Sequence, residues 1–133
     1  MKPKISKDKA SWIAGYRSGL EDVIAEQLKE AGIKFEYEAV KIKYEKPVSK
    51  HTYTPDFVLS SGIIIETKGR LLLADRKKHL LIKQQHPSLD IRFCFQNAKN
   101  KISAGSPTTY ADWAEKNGFK WCNRTIPKEW LME

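Results

Sequence analysis

The sequence predicts an α/β protein with one mixed β-sheet flanked by helices on both faces. Three observations predict it. Phe57-Val58-Leu59 and Ile63-Ile64-Ile65 are short, apolar and largely β-branched, as strands buried on both sides are. Leu20, Val23, Ile24, Leu28 and Ala31 recur at helical spacing ahead of them, and a second helical segment follows. The elements run helix, strand, strand, strand, helix, strand, helix within 133 residues, a length for one domain with a real core.

Residues 1–16 carry Lys2, Lys4, Lys7 and Lys9 with little to bury, and are expected to form a flexible basic arm that frays or orders on phosphates. Residues 17–133 form the domain. Ser18-Gly19-Leu20-Glu21 has the Ser-x-x-Glu pattern of a capping box, which gives Glu21 a complete structural explanation. Gly32 suits the position just past the helix. Ile33 to Tyr44 reads as extended, with Phe35, Tyr37, Ile42 and Tyr44 near alternation. Residues 45–50 are polar, contain Pro47 and read as a connecting loop. Pro47 fixes its own backbone and biases Lys46 to extended forms, so the connector is expected to resist folding back tightly.

Beyond Gly69, Leu71-Leu72-Leu73 leads into a helix from about Asp75 to Gln85, stopped by Pro87. Leu80, Leu81 and Ile82 are expected to face inward, with Arg76, Lys77, Lys78, His79 and Lys83 making a basic outer side. Asp90 to Phe95 alternates as a strand. Asn97 to Lys101 is a polar loop carrying Lys99 and Lys101. Ser106-Pro107-Thr108 opens a last helix with Tyr110, Trp113 and Ala114 inward and Gly118 at its end. Phe119 to Glu133 reads as short strand or loop, with Trp121 and Trp130 covering the core.

Lys and Arg number 24 against 16 Asp and Glu, a net charge of +8, which favours a polyanionic partner such as nucleic acid. No helix combines a basic face with a broad Leu/Trp/Phe face, which argues against a membrane surface. Cys94 and Cys122 lie far apart in apolar segments and read as inert core thiols. They and three scattered histidines offer no zinc-ligand spacing. Neither a signal peptide nor a membrane span is expected. No zinc finger, basic-region helix or helix-turn-helix is visible, so any recognition of nucleic acid is expected to read backbone and shape rather than bases.

The chemistry concentrates between Thr52 and Arg70. Ser60-Ser61-Gly62 makes a three-residue hairpin loop, with Gly62 free to take a left-handed position. If Leu59 faces Ile63 across that loop, Asp56 lies opposite Glu66. Partners across strands share a face, as do residues two apart, so Asp56, Glu66 and Lys68 point to one side. Two facing carboxylates at the end of a buried hairpin repel one another. A divalent cation with a preference for oxygen ligands, Mg²⁺ or Mn²⁺, would reconcile them. Lys68 beside it could orient a water or support developing charge. A solvated strand edge and an ordinary Pro-Asp turn are the bland alternatives, but the flanking runs are too apolar for either.

Pro55-Asp56 followed by Glu66-Thr67-Lys68 resembles the PD-(D/E)xK nuclease signature. Arg17 to Asp22, Gly32 to Glu38, His51 to Phe57, Glu66 to Gly69 and Asp75 to Ile82 resemble, in order and spacing, the phage endonuclease I family of Holliday-junction-resolving enzymes. That resemblance implies a restriction-endonuclease-like core in an intertwined, domain-swapped homodimer. It also implies a structure-selective DNA endonuclease that cuts four-way and branched junctions with one or two Mg²⁺ or Mn²⁺ ions per site. Glu21 becomes a fourth catalytic carboxylate beside Asp56, Glu66 and Lys68, and Asp56, Glu66, the Thr67 carbonyl and Glu21 become the ligands. Arg17, Arg76, Lys77, Lys83, Lys99 and Lys101 are the expected DNA contacts, and the host bacterial cytoplasm the expected location. Relatives are expected to carry a basic tail beyond the position of Glu133. The other readings are a nuclease of the same fold acting on linear or nicked DNA, and a non-catalytic nucleic-acid-binding protein.

Overall fold

A computed structural model describes residues 19–46 and 49–133. The expected basic arm, Arg17, the Ser18 cap and Pro47 lie outside the described residues. The elements are helix α1 (Gly19–Glu30), strands β1 (Phe35–Tyr37), β2 (Ile42–Lys46), β3 (Ser49–Tyr53), β4 (Phe57–Leu59) and β5 (Ile64–Lys68), helix α2 (Leu73–Gln85), β6 (Ile91–Phe95), α3 (Tyr110–Lys116), β7 (Lys120–Asn123) and α4 (Lys128–Leu131).

Five strands form one sheet in the order β1-β4-β5-β6-β7. The β1, β4 and β5 pairings are antiparallel, while β5, β6 and β7 run parallel, so the sheet is mixed as predicted. All five residues of β6 are buried, the mark of a central strand covered on both faces. On one face Leu20, Ile24 and Leu28 of α1 pack on Phe57, Leu59, Ile65, Cys94 and Cys122, closed by Ile126 and Trp130. On the other, Ile82 of α2 and Tyr110, Trp113 and Ala114 of α3 pack on Ile64, Phe93 and Phe95. The cysteines are free, buried register partners on β6 and β7.

The β4–β5 hairpin has the predicted register. Phe57 pairs with Ile65 and Val58 with Ile64, and the Leu59 N–H donates to the Ile63 carbonyl at 2.9 Å. Gly62 sits at φ 96°, in the left-handed region the three-residue loop demands. Thr109 caps α3 by accepting from the Asp112 N–H at 3.0 Å, while the Asp112 carboxylate accepts from the Thr109 N–H at 3.1 Å.

Three expectations need correction. The described residues of the 45–50 segment are strand rather than loop. Glu45 and Lys46 end β2, and Ser49 and Lys50 begin β3. The two strands form an antiparallel ribbon from Ile42↔Tyr53 to Lys46↔Ser49 within one chain, against the expectation that β2 and β3 would stay apart. Five cross-strand pairs, a buried Tyr44 and its ring contact with His51 at 5.5 Å hold the ribbon together. Second, Leu80 is exposed, because α2 turns Ile82 and His79 inward and Leu80 lies about 100° round the helix from His79. Third, His79 is wholly buried rather than part of the basic outer side. The extended stretch from Ile33 also breaks at Glu38, whose φ of 50° turns the chain, and its N–H reaches the Asp56 carbonyl at 3.1 Å. Among the described residues no helix is long and apolar enough to cross a membrane.

Candidate active site

The end of the β4–β5 hairpin gathers the predicted residues from three directions. Glu66 and Lys68 leave β5 on the α2 face of the sheet, alternating with Ile65 and Thr67, which face α1. Asp56 stands just before β4, opposite Glu66, and its N–H lies 3.5 Å from Glu66 Oε1. Glu21, in the first turn of α1, comes over the other face and is buried.

Thr67 joins these two sides. Its N–H and hydroxyl both donate to Asp56 Oδ2, at 2.9 and 2.8 Å, and the same hydroxyl lies 3.5 Å from Glu21 Oε2. The Tyr37 hydroxyl donates to Glu21 Oε1. The Glu21 side chain is thus turned into the site, whatever the helix terminus also takes from it. Glu21, Asp56 and Glu38 each offer a carboxylate oxygen within 4.8 Å of the others. Glu38 was not anticipated from sequence, since its place depends on a left-handed backbone within a stretch that reads as strand.

Lys68 Nζ lies 3.9 Å from Glu66 Oε2 and donates to Asp75 Oδ1 at 3.3 Å. Asp75 also accepts from the Leu72 N–H at 3.0 Å, so the lysine is tethered to the start of α2. The Tyr53 hydroxyl donates to Glu66 Oε1 at 2.7 Å, and His79 Nε2 stands 3.9 Å from Glu66 Oε2. Sequence reasoning missed both residues. Period-two alternation through β3 and helical spacing from Ile82 back to His79 carried the signal.

Burial and crowding decide the charge state. Burial first, and the neighbouring Asp56 second, push the Glu66 carboxyl up to about 8, against the pull of Lys68. Burial and Glu21 push Asp56 up to about 6, although the Thr67 hydrogen bonds oppose them. Burial and the Glu66 charge hold the Tyr53 hydroxyl well above its ordinary value. Burial, then Lys68 and Lys78, drives His79 down to about 3, so its imidazole is neutral. The carboxylates therefore resist being charged together without a cation between them. An all-oxygen set of this kind fits a hard divalent cation such as Mg²⁺ or Mn²⁺ and offers nothing to a soft one. The residues present fit the group that the sequence led us to expect.

The predicted DNA contacts fall into two groups. Lys77, Lys99 and Lys101 are exposed. Arg76 Nη1 donates to the carbonyls of Leu71 and Ile102 at 2.8 and 3.0 Å, and Lys83 Nζ to Gly118 at 3.3 Å while lying 4.9 Å over the Phe119 ring. Lys78, absent from the predicted set, stands 5.3 Å over the Tyr53 ring at the edge of the site.

Fold and site together define an α/β protein with a carboxylate–lysine centre at one end of a mixed sheet. The sequence profile of phage endonuclease I matches residues 1–133. The chain is 53% identical over 121 residues to Endonuclease I of Escherichia phage T7, covering 91% of this chain and 81% of that protein. It is 54% identical over 118 residues to Endodeoxyribonuclease 1 of Enterobacteria phage T3, covering 89% of this chain and 78% of that one. The chain belongs to the phage endonuclease I family.

Proposed function

We propose that this protein is a metal-dependent, structure-selective DNA endonuclease that resolves four-way and branched junctions by paired phosphodiester hydrolysis, acting as a homodimer in the host cytoplasm. Endonuclease activity on DNA follows the family and the names of both relatives. The observation that carries the metal-dependent reading is the meeting of Asp56, Glu66, Glu21 and Lys68 at one sheet end, and it supports reading the fold as a restriction-endonuclease-like core.

One or two Mg²⁺ or Mn²⁺ ions bound there would polarise the scissile phosphate and supply hydroxide at neutral pH. Asp56 has Oδ2 fixed by Thr67, while Oδ1 carries no hydrogen bond among the described residues and is the oxygen offered as ligand. Glu66, Glu21 and the Thr67 carbonyl complete the set. Lys68 brings the nearest cationic donor, held by Asp75, to orient the attacking water and offset charge developing on the phosphate. A net charge of +8 without a base-reading element suits selection of DNA by shape. Cleavage of a four-way junction against a duplex of the same sequence tests this. Equal cutting of both would leave a nuclease of linear or nicked DNA.

The homodimer supplies the two sites that two cuts need. The β2–β3 register supports an intertwined form. Its five pairs are symmetric about the point between positions 47 and 48, so β2 of one protomer could meet β3 of its partner about a two-fold axis with every pair kept. Glu21 precedes this ribbon, and Asp56, Glu66 and Lys68 follow it. Exchange would carry Glu21 into the partner's site with the five strand pairs intact. Chains with Glu21→Ala and chains with Asp56→Ala, each inactive alone, are unfolded and refolded together. In an exchanged heterodimer both defects fall in one site, and nicking returns. If heterodimers form and nicking stays absent, the exchange is wrong while the nuclease reading stands.

A further inference from the structure

One buried polar side chain at the site has no part in that chemistry. His79 is fully enclosed, with ring contacts to Tyr53 at 5.2 Å and Phe93 at 5.0 Å, both edge to face. Neither ring nitrogen has a hydrogen-bond partner among the described residues. A neutral imidazole brings a donor and an acceptor into the core, and leaving both unmade is costly. Phenylalanine would fill a comparable space without that cost, so packing alone gives no reason for histidine.

Its direction supplies the reason. Nε2 faces Glu66 Oε2 at 3.9 Å, while Tyr53 already holds Glu66 Oε1 at 2.7 Å. The gap is too long for a hydrogen bond and too short to seat a bridging water. Moving the end of the glutamate side chain by about 1 Å closes it to hydrogen-bond length. An imidazole N–H donated to an ionised carboxylate is charge-assisted, so closure is favoured once Glu66 is a ligand. Lys68 stands equally far from Oε2, but it is drawn the other way by Asp75 at 3.3 Å.

We infer that His79 is a positioning residue for Glu66, which with Tyr53 grips both oxygens of that carboxylate and presents it in one orientation to a divalent cation. Asp56 is likewise held, on Oδ2 alone, by the N–H and hydroxyl of Thr67. The inference rests on the metal-site reading above. Partners of metal-bound carboxylates and histidines often influence affinity as strongly as this placement implies.

The test is Mn²⁺ titration of the full metal-free chain by calorimetry, without DNA. His79→Phe should weaken Mn²⁺ binding by about 10- to 100-fold. Its metal-free melting temperature should be unchanged or higher. At limiting Mn²⁺ kcat should fall with KM for the junction unchanged, and excess Mn²⁺ should restore turnover. His79→Gln places an amide N–H near the Nε2 position and should recover most of the affinity. His79→Asn places one near Nδ1, cannot reach Glu66 and should not. Wild-type affinity in His79→Phe, or equal affinity in the Gln and Asn variants, overturns the inference; the Gln–Asn pair decides it should the Phe variant not fold. Wild-type and Glu66→Gln titrations separate the two levels. If wild type takes up no Mn²⁺ that Glu66→Gln abolishes, the metal reading itself fails and the role of His79 with it.

Discussion

Two groups of carboxylates on this sheet receive opposite treatment. On the α1 face, Arg92 of β6 donates to Asp90 and Glu133 through four hydrogen bonds of 2.7–2.9 Å and lies 5.1 Å over the Trp130 ring. Those hydrogen bonds hold both carboxyls below their ordinary values. At the hairpin end, Asp56, Glu66 and Glu21 come together with Lys68 3.9 Å from Glu66, and burial pushes Asp56 and Glu66 upward. The first group is neutralised by its own chain. In the second, burial and mutual repulsion make the charged forms of Asp56 and Glu66 costly. The difference supports the proposal that a divalent cation joins the carboxylates at the hairpin end.

The sharpest way to break the comparison is to remove that charge. Asp56→Asn and Glu66→Gln should each lower cleavage by more than about 100-fold, with junction binding kept or improved as repulsion of phosphate is relieved. Wild-type cutting in Mg²⁺ by either variant would show that the site lies elsewhere. Lys68→Ala should lose most turnover while calorimetry still detects metal, since lysine has no acceptor for a cation. Loss of both would make Lys68 a structural residue.

Stability should depend on pH with opposite sign in the two groups. A carboxyl raised by folding stabilises the protein while protonated. That contribution is complete below the unfolded value of about 4 and is lost as pH rises through the folded one. For Asp56 and Glu66 the loss runs through about 6 and about 8. The melting temperature of metal-free protein should therefore fall by several degrees between pH 5 and 8. Mn²⁺ should reverse the fall, and Glu66→Gln should flatten it. Asp90 and Glu133 have lowered values, so their contribution is present above about 4 and disappears on acidification below it. Arg92→Met should cost about 1–3 kcal/mol in a denaturant melt, with the rate of cleavage unchanged. A flat wild-type profile from pH 5 to 8 would remove the electrostatic argument for the cation.

The hairpin was legible because period-two alternation leaves little freedom. Once the Ser60–Gly62 loop closes, Asp56 and Glu66 must face each other. Ile42 and Tyr44 showed the start of β2, but its pairing with β3 was not legible, because Glu45, Lys46, Ser49 and Lys50 are all exposed and leave no apolar pattern to read. Local pairing, rather than burial, makes those residues strands. His79 was misread because Arg76-Lys77-Lys78-His79 looks like one basic run, whereas helical geometry sends its last member inward with Ile82. Arg92 gave no warning either. A charge inside an apolar strand is acceptable only through partners, and one of them, Glu133, lies 41 residues on.

The smallest effect expected concerns DNA contacts, and it separates lysines and arginines by what already holds them. A side chain that displaces counterions from phosphate lowers the dependence of binding on salt when it is removed, by about one unit of slope per contact. Lys77 is exposed beside Lys46 and Lys78 on a groove of about 620 Å³ along α2, and its ammonium has no ion-pair partner among the described residues. Lys77→Ala should reduce the slope by about one. Lys83 is engaged with Gly118 and Phe119, and Arg76 with Leu71 and Ile102. Contact with DNA would cost each of these residues existing bonds. Lys83→Ala and Arg76→Ala should thus lower the melting temperature and leave the slope unchanged, with Arg76 the more damaging because it ties the start of α2 to the loop before α3. Equal loss of slope in Lys83→Ala and Lys77→Ala would extend the DNA surface along α2 towards Gly118, and the bonds that now hold Lys83 would then belong only to the protein without DNA.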